Sequence, residues 1–198
     1  GIHPRHYGEL NDTQLAKVVQ ATKLRIQVAR ELMPSADLAI YATAVNASAG
    51  AVAGYKRAGE LGLWDELTYL IPVLYTGPGM HTASLKAAVK ERLDASLAIV
   101  PRDGRLLPLA PVLSWRMFGA GSKANCAVSK ANLASDLADI RAWDAVHPGR
   151  IRALQWWSGT DHDTDGKNAT DTGCPAPHVT YLQWLKAAQI VPPSCLPP

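Results

Sequence analysis

An acidic segment near the C-terminus carries residue types and spacing that could bind a cation. Asp161, Asp163 and Asp165 occupy alternate positions and are followed by Gly166, in the segment DHDTDGKNATDTG. Alternating carboxylates can converge on one hard cation, and a glycine permits the sharp turn that such a loop needs. We therefore predict a calcium-binding loop, with Asp171 completing the carboxylate set.

The same segment departs from the EF-hand pattern and keeps two other interpretations open. Counted from Asp161, the twelfth position is Thr172, where an EF-hand loop has a bidentate glutamate. The residues before the loop also have the composition of a strand and not of a helix. The alternatives are a solvated turn rich in Asp and Asn, and a catalytic Asp161 with His162 beside it.

Aromatic residues recur where apolar runs give way to small and polar residues. Flat rings at such positions could stack on the faces of sugars, and Arg116 could donate to a carboxylate or a hydroxyl. The alternative interpretation is that the rings belong to the core. Trp156 and Trp157 are adjacent, so in a strand they would point to opposite faces. The predicted substrate-binding residues are Tyr41, Tyr75, Trp115, Arg116, Trp156, Trp157 and His162.

The elements that would position these residues alternate along the chain. Amphipathic segments with helical spacing are separated by short, continuously apolar runs of strand-like composition, in which Pro72, Pro108 and Pro111 are unfavourable. Such alternation is typical of an α/β fold with a parallel sheet and crossover helices. The strand-like runs are DLAIYATAV, TYLIPVLYTG, LLPLAPVLSW and IRALQWW.

Four strand–helix units are too few for a complete barrel. A full (β/α)8 barrel takes about 250 residues, whereas the chain has 198. No glycine-rich nucleotide motif follows any of the strands, which counts against the common open-sheet folds. We therefore predict a half or partial (β/α)8 barrel in a single domain, residues 1–198. It would comprise a leading loop and helix in 1–36, strand–helix units in 37–190 and a tail in 191–198.

The strand ends resemble those of TIM-barrel glycoside hydrolases. YATAVN, LIPVLYTGPG, LSWRMFGAGS and LQWWSGTD each end in an aromatic residue followed by small and polar residues. They are similar to the last four strands of that superfamily, in which strand-end aromatics line a sugar-binding cleft. The resemblance implies a carbohydrate-binding or carbohydrate-hydrolysing protein.

The resemblance also suggests where catalytic carboxylates would lie. Glu9, in RHYGEL, falls where a loop after the fourth strand would be, with His3 and His6 near it in sequence. The alternative for Glu9 is a solvated carboxylate near a helix N-terminus. The segment LSWRMFGAGS, which is similar to the seventh strand of that superfamily, contains no acidic residue. Many members of the superfamily have a catalytic glutamate on this strand, so the usual pair of carboxyl groups for hydrolysis is not evident from the strand ends. The predicted catalytic residues are Glu9 and Asp161.

Composition limits the partners and the surroundings of the protein. A formal charge of +3 with scattered Lys and Arg does not predict nucleic-acid binding. No apolar run reaches the roughly 18 residues of a membrane helix. A Cys174–Cys195 disulfide would fit a secreted or periplasmic protein, and reduced thiols are the alternative. Since no signal-like segment precedes Gly1, we expect a processed form or a fragment.

A rival to the enzyme is a protein without catalysis. It would be a binding module, stabilised by calcium, or a self-associating α/β subunit. A half barrel leaves sheet edges exposed, which a second copy or a missing N-terminal half would cover.

Overall fold

Helices and strands alternate along the part of the chain that the computed structural model describes. That part is residues 3–44, 47–75, 83–114 and 130–157, and of residues 42, 83–88, 130, 156 and 157 it describes the backbone alone. A 3-10 turn, Pro4–Glu9, comes first. The other elements are α1 (Asp12–Leu32), β1 (Tyr41–Thr43), α2 (Ala49–Glu60), β2 (Ile71–Pro72), α3 (Ala83–Ser96), β3 (Val112–Ser114), α4 (Lys130–Val146) and β4 (Gln155–Trp157).

Helix α1 begins where the sequence supplies an N-cap. The Asn11 side chain accepts from the Gln14 backbone N–H at 2.9 Å, and the Gln14 side chain accepts from the Asn11 N–H at 3.1 Å. This reciprocal pair satisfies two of the amides that a helix start leaves without partners. Leu15, Val19 and Ile26 are buried on one face of the helix. The local sequence therefore determines both the start of α1 and its orientation on the core.

The strands pair in parallel and in chain order. In β1 and β2, Tyr41 lies opposite Ile71, and in β3 and β4, Val112 lies opposite Gln155. These two sheets are connected by single parallel bridges between Leu70 and Leu109 and between Val73 and Val112. The carboxyl ends of the four strands consequently lie at the same edge. The partial (β/α)8 barrel and the single domain stay predictions.

Prolines keep the strands short but still take part in the pairing. Pro72 lies in β2 opposite Thr43, at a point where the register shifts. Pro108 and Pro111 have no N–H, and their carbonyls accept from the N–H groups of Leu70 and Gln155 at 2.9 Å each. A proline thus removes a donor from the ladder without removing its acceptor.

The strands separate two groups of apolar side chains. Leu70 and Leu74 pack with helix residues in the larger core, whereas Ile71, Val73 and Val112 form a second cluster. The alternation follows from the two-residue period of a strand. Tyr69 and Tyr75 pack against the second cluster, at opposite ends of the same strand segment.

Three aromatic residues are buried in the core. Tyr55 and Trp64 are inaccessible to solvent, and Trp143 is nearly so. The indole N–H of Trp64 donates to the Tyr55 carbonyl at 3.0 Å, and that of Trp143 donates to Asp94 Oδ1 at 2.8 Å. Trp64 lies in the turns that follow α2, which ends at Glu60.

In the described part of the chain, no helix combines the length and the apolar character that crossing a bilayer requires.

Candidate functional site

Two tyrosines from neighbouring strands meet near the carboxyl end of β2, where the hydroxyl of Tyr41, whose backbone lies opposite Ile71, reaches Tyr75. Tyr41 opens β1 and Tyr75 follows β2, and their hydroxyl groups form a short hydrogen bond. The Tyr41 residue is 50% exposed, and Tyr75 is half-buried. Burial, followed by the hydrogen bond from Tyr41, raises the pKa of Tyr75 well above its usual range. Tyr75 therefore keeps its proton at physiological pH and can act as a donor and as an acceptor.

Strand β1 ends beside this pair in an unusual backbone conformation. The Thr43 side chain is buried, and its Oγ1 accepts from the Ile71 N–H at 3.0 Å. Ala44, the next residue, has a φ of 54°, in the left-handed region that non-glycine residues seldom adopt. Such conformations cost on the order of 1 kcal/mol or more and tend to cluster at functional sites. β1 thus stops at Thr43, while the chain of β2 continues to Tyr75.

An arginine from α3 contacts the end of this extended segment. Arg92 Nη1 donates to the carbonyls of Val73, at 3.0 Å, and Tyr75, at 3.4 Å. Burial lowers the pKa of Arg92, and the charge of Glu91 opposes that change. Because an arginine stays protonated even so, the backbone beneath Tyr75 is held by a positive charge.

Glu9 lies at the end of the 3-10 turn, with one of the predicted histidines as its neighbour. The Glu9 carboxylate is 3.1 Å from His6 Nδ1, and its side chain is 70% exposed. His6 also accepts from Arg5 Nε at 2.9 Å. The turn packs on α2 and contacts β1. Glu9 is therefore solvated and belongs to a small polar cluster with His6 and Arg5.

The other predicted site residues fall into two groups. The backbones of Trp156 and Trp157 form β4, opposite Leu113 and Ser114. Trp115, Arg116, Asp161, His162, Asp163, Asp165 and Asp171 lie outside the described residues, as do Cys174 and Cys195. Within the described residues, no three His, Cys, Asp or Glu side chains come close enough together to hold a metal ion. The calcium loop stays a prediction.

A cavity at the opposite end of the strands has a different character. Its volume is about 410 Å³, and its lining includes Arg30, Glu66, Arg105 and Leu106. Arg30 donates to the carbonyls of Pro34 and Ala36, and Arg105 donates to those of Asp65 and Leu67. These guanidinium groups already serve to hold the turns that lead into the strands. The tyrosine pair is consequently the better candidate for ligand binding.

Sequence reasoning did not identify Arg92 or Thr43 as site residues. Arg92 stands in KERLDAS, where charged residues suggest a solvated face. Its helical spacing could have identified it. Arg92 lies about one turn after Val89 and about one turn before Ser96, and both of these residues are buried. No local pattern could have identified Thr43, because its hydrogen bond with the Ile71 N–H depends on the register of β1 against β2.

Comparison with solved structures finds a similar fold in an enzyme that acts on a polysaccharide. The crystal structure of bee venom hyaluronidase in complex with a hyaluronic acid tetramer matches with a TM-score of 0.53 and 18% sequence identity. The chain is similar in fold to a hyaluronidase. The match covers 72% of this chain and 44% of the hyaluronidase chain, so it spans less than half of that protein.

This likeness supports the resemblance seen in the sequence at the level of fold. The hyaluronidase is a glycoside hydrolase with a TIM-barrel fold. No protein-family model matches the sequence, and the search of curated proteins returned no significant match.

Proposed function

We propose that this chain binds carbohydrate at the carboxyl ends of its strands, with Tyr41 and Tyr75 as the central contacts. The observation that carries the proposal is that the hydroxyls of the 50% exposed Tyr41 and the half-buried Tyr75 meet beside the end of β2. The fold likeness to a hyaluronidase crystallised with a hyaluronic acid tetramer supports it. We also propose that the strands form part of a (β/α)8 barrel, in which this edge would be the face that binds ligands.

The chemistry of the pair suits a sugar. An aromatic ring offers a flat apolar surface on which the C–H face of a pyranose can stack, and the hydroxyls can exchange hydrogen bonds with those of the sugar. Because Tyr75 stays neutral, the pair places no phenolate charge next to a uronic acid carboxylate. Neutral and acidic sugars are therefore both acceptable to this pair.

We further propose that the protein hydrolyses the carbohydrate that it binds, with Glu9 and Asp161 as the two catalytic carboxylates. Glycoside hydrolases of the usual kind need two carboxyl groups, about 5 Å apart for retention or roughly 6.5–9.5 Å apart for inversion. Glu9 lies on the turn that contacts β1. Its partner His6, at 3.1 Å, could hold the carboxylate in place until a substrate arrives.

Removing either tyrosine hydroxyl is expected to weaken carbohydrate binding. Tyr41→Phe and Tyr75→Phe each delete one hydrogen-bonding group, which is worth about 1 kcal/mol, or roughly a 5-fold increase in Kd. Tyr41→Ala also removes the ring and should cost about 10-fold or more. Calorimetry with hyaluronic acid, chitin and cellulose tetrasaccharides would measure these effects.

Tyr69→Phe provides the matched control, because Tyr69 lies on the same face at the other end of the strand segment. It should bind as the parent protein does. Failure of all three tetrasaccharides to bind, or an equal loss in Tyr69→Phe, would refute the proposal. Reducing-end assays on the parent and on Glu9→Gln then separate the two forms: turnover lost with binding kept indicates catalysis, and binding without turnover in the parent indicates a binding module.

A further inference from the structure

We infer that Arg5 and His6 are positioning residues for Glu9: Arg5 selects the tautomer of the His6 ring, and that ring holds Glu9 as an ionised carboxylate. The catalytic meaning of this pair rests on the proposed hydrolysis, because Glu9 is one of the two carboxylates proposed there. The tautomer of His6 can be measured without any substrate.

The contact with Arg5 determines which nitrogen of His6 carries the hydrogen. Arg5 Nε lies 2.9 Å from His6 Nε2. A guanidinium nitrogen can only donate, so His6 Nε2 is the acceptor and has no hydrogen of its own. A neutral imidazole keeps one hydrogen, which then lies on the other nitrogen. This geometry therefore requires the neutral His6 ring with its hydrogen on Nδ1.

The Nδ1–H of His6 is directed at Glu9. His6 Nδ1 lies 3.2 Å from Oε1 and 3.1 Å from Oε2 of Glu9, so both oxygens accept from one N–H. Such sharing suits an ionised carboxylate, since a protonated carboxyl group has a hydrogen on one of its oxygens. The 3-10 turn brings the two side chains together, because residues three apart lie on the same face of such a turn.

His3, in front of the same turn, has the opposite tautomer. Its Nδ1 accepts from the backbone N–H of Arg5 at 3.3 Å, so that nitrogen has no hydrogen. Burial, followed by the charges of Arg5 and His6, lowers the pKa of His3, which is therefore neutral at pH 7 with its hydrogen on Nε2. The comparison shows that the backbone sets one ring and the Arg5 side chain sets the other.

The bonds form a chain that runs from Arg5 through His6 to Glu9. Each donor polarises the next one, and the chain ends on a carboxylate that a positive charge favours. Glycoside hydrolases of the usual kind use one carboxyl group as the acid that protonates the leaving oxygen and keep the other one ionised. Held by His6, Glu9 is the ionised member of the pair, and the acid is the second carboxyl group. Arg5 and His6 act through Glu9 and do not touch the substrate.

The first test measures the ¹⁵N chemical shifts of the histidine rings at a pH where they are neutral. The His6 signals are identified by their loss in His6→Asn. In the parent protein, His6 should have its hydrogen on Nδ1 and His3 on Nε2. Arg5→Met should shift His6 towards the Nε2–H form and leave His3 unchanged, because the backbone N–H of Arg5 is retained.

Arg25→Met is the matched control, because it removes another exposed guanidinium, from α1. It should change neither ring. A His6 ring that carries its hydrogen on Nε2 in the parent, or that responds equally to Arg5→Met and Arg25→Met, overturns the inference.

The second test measures turnover of the tetrasaccharide that the parent cleaves fastest. Arg5→Met and His6→Ala should each lower kcat about 5-fold, the effect of one hydrogen bond, with KM nearly unchanged. His6→Asn should keep most of the activity, because its amide N–H can replace Nδ1–H as a donor to Glu9. Equal losses in His6→Asn and His6→Ala would contradict the positioning role.

A glycoside with a dinitrophenolate leaving group tests the role of Glu9 itself. This leaving group departs without protonation, so it restores turnover to variants that lack the acid and not to variants that lack the ionised carboxylate. Glu9→Gln should therefore stay inactive on it, and recovered turnover would show that Glu9 is the acid. If the parent cleaves no substrate, the proposed hydrolysis fails, and the ¹⁵N shifts alone decide whether Arg5 sets the tautomer of His6.

Discussion

Gly54→Ala is expected to destabilise the fold by about 3 kcal/mol, near the upper end of what overpacking costs. A methyl group at Gly54 would lie 2.4 Å from the backbone nitrogen of Gly8 and 2.5 Å from the carbonyl carbon of Tyr7. These are backbone atoms of the 3-10 turn, so no side-chain rotation can relieve the overlap. The turn and α2 would have to separate.

The turn has little freedom to move away. Arg57 of α2 donates from Nη2 to the carbonyls of Tyr7, at 3.1 Å, and Leu10, at 3.0 Å. The Tyr7 ring is buried and stacks on Trp64 with 6.4 Å between ring centroids. Separation would therefore break these contacts as well. Since Glu9 lies on the same turn, the change should also displace a predicted site residue.

Gly50→Ala on the same helix is the control, and its expected sign is opposite. A Cβ at Gly50 would meet nothing within 4 Å. Alanine favours the helix by up to about 1 kcal/mol over glycine, so this variant should be equal to the parent or more stable. Urea denaturation with equal m-values would measure both changes. Similar stability for Gly54→Ala and the parent would contradict the close packing of the turn on α2.

Asp136→Asn is expected to stabilise the protein at pH 7 by about 2 kcal/mol and to have almost no effect at pH 4. Asp136 lies on α4 among Leu133, Leu137 and Ile140 and is only 6% exposed. Burial, assisted by the charge of Asp139, raises the pKa of Asp136 from 3.8 to about 6. Such a displacement corresponds to about 3 kcal/mol at most, and residual solvent contact reduces it.

The pH dependence has a definite sign. The folded protein holds the Asp136 proton more tightly than the unfolded chain does, so stability decreases as pH rises from about 4 to about 6. Above that window the full penalty of the buried charge is present. Asparagine has no proton to lose, so the variant should not show this decrease.

Urea denaturation at pH 4, 5, 6 and 7 would measure the difference between the parent and Asp136→Asn. Asp139→Asn is the matched control on the same helix: it removes only the smaller cause of the pKa change, so the decrease should largely persist. A difference between the parent and Asp136→Asn that is the same at every pH would show that Asp136 does not titrate in this window.

The start of α1 could be predicted from the sequence because the features involved are local, whereas the binding role of Tyr41 and Tyr75 stays a prediction. The N-cap at Asn11 and the apolar spacing of α1 indicate a helix without reference to any other element. The parallel pairing of β1 with β2 follows from the alternation of strands and helices, and it puts Tyr41 opposite Ile71, within reach of the Tyr75 hydroxyl. These predictions rest on short-range sequence patterns and on the tendency of strands that alternate with helices to pair in parallel.

The residues that hold the site in place could not be predicted in the same way. The contact of Arg92 with the carbonyls of Val73 and Tyr75 depends on how α3 packs against the end of the β2 segment, which no local pattern specifies. The contact of Gly8 with α2 likewise joins residues more than 40 positions apart. Glycines and arginines have many uses, and only the tertiary partner shows which one applies.

The bond between Arg152 and Asp37 has a consequence for the order of folding. Arg152 Nη2 donates to Asp37 Oδ2 at 2.8 Å, which joins residues 115 positions apart, whereas the Ile71–Thr43 bond spans 28. Two doublings of loop length add about 1 kcal/mol to the entropy cost of closure. This exposed pair would thus form after the neighbouring strands have assembled. The pair would therefore slow unfolding at β4 and would have little effect on the rate of folding.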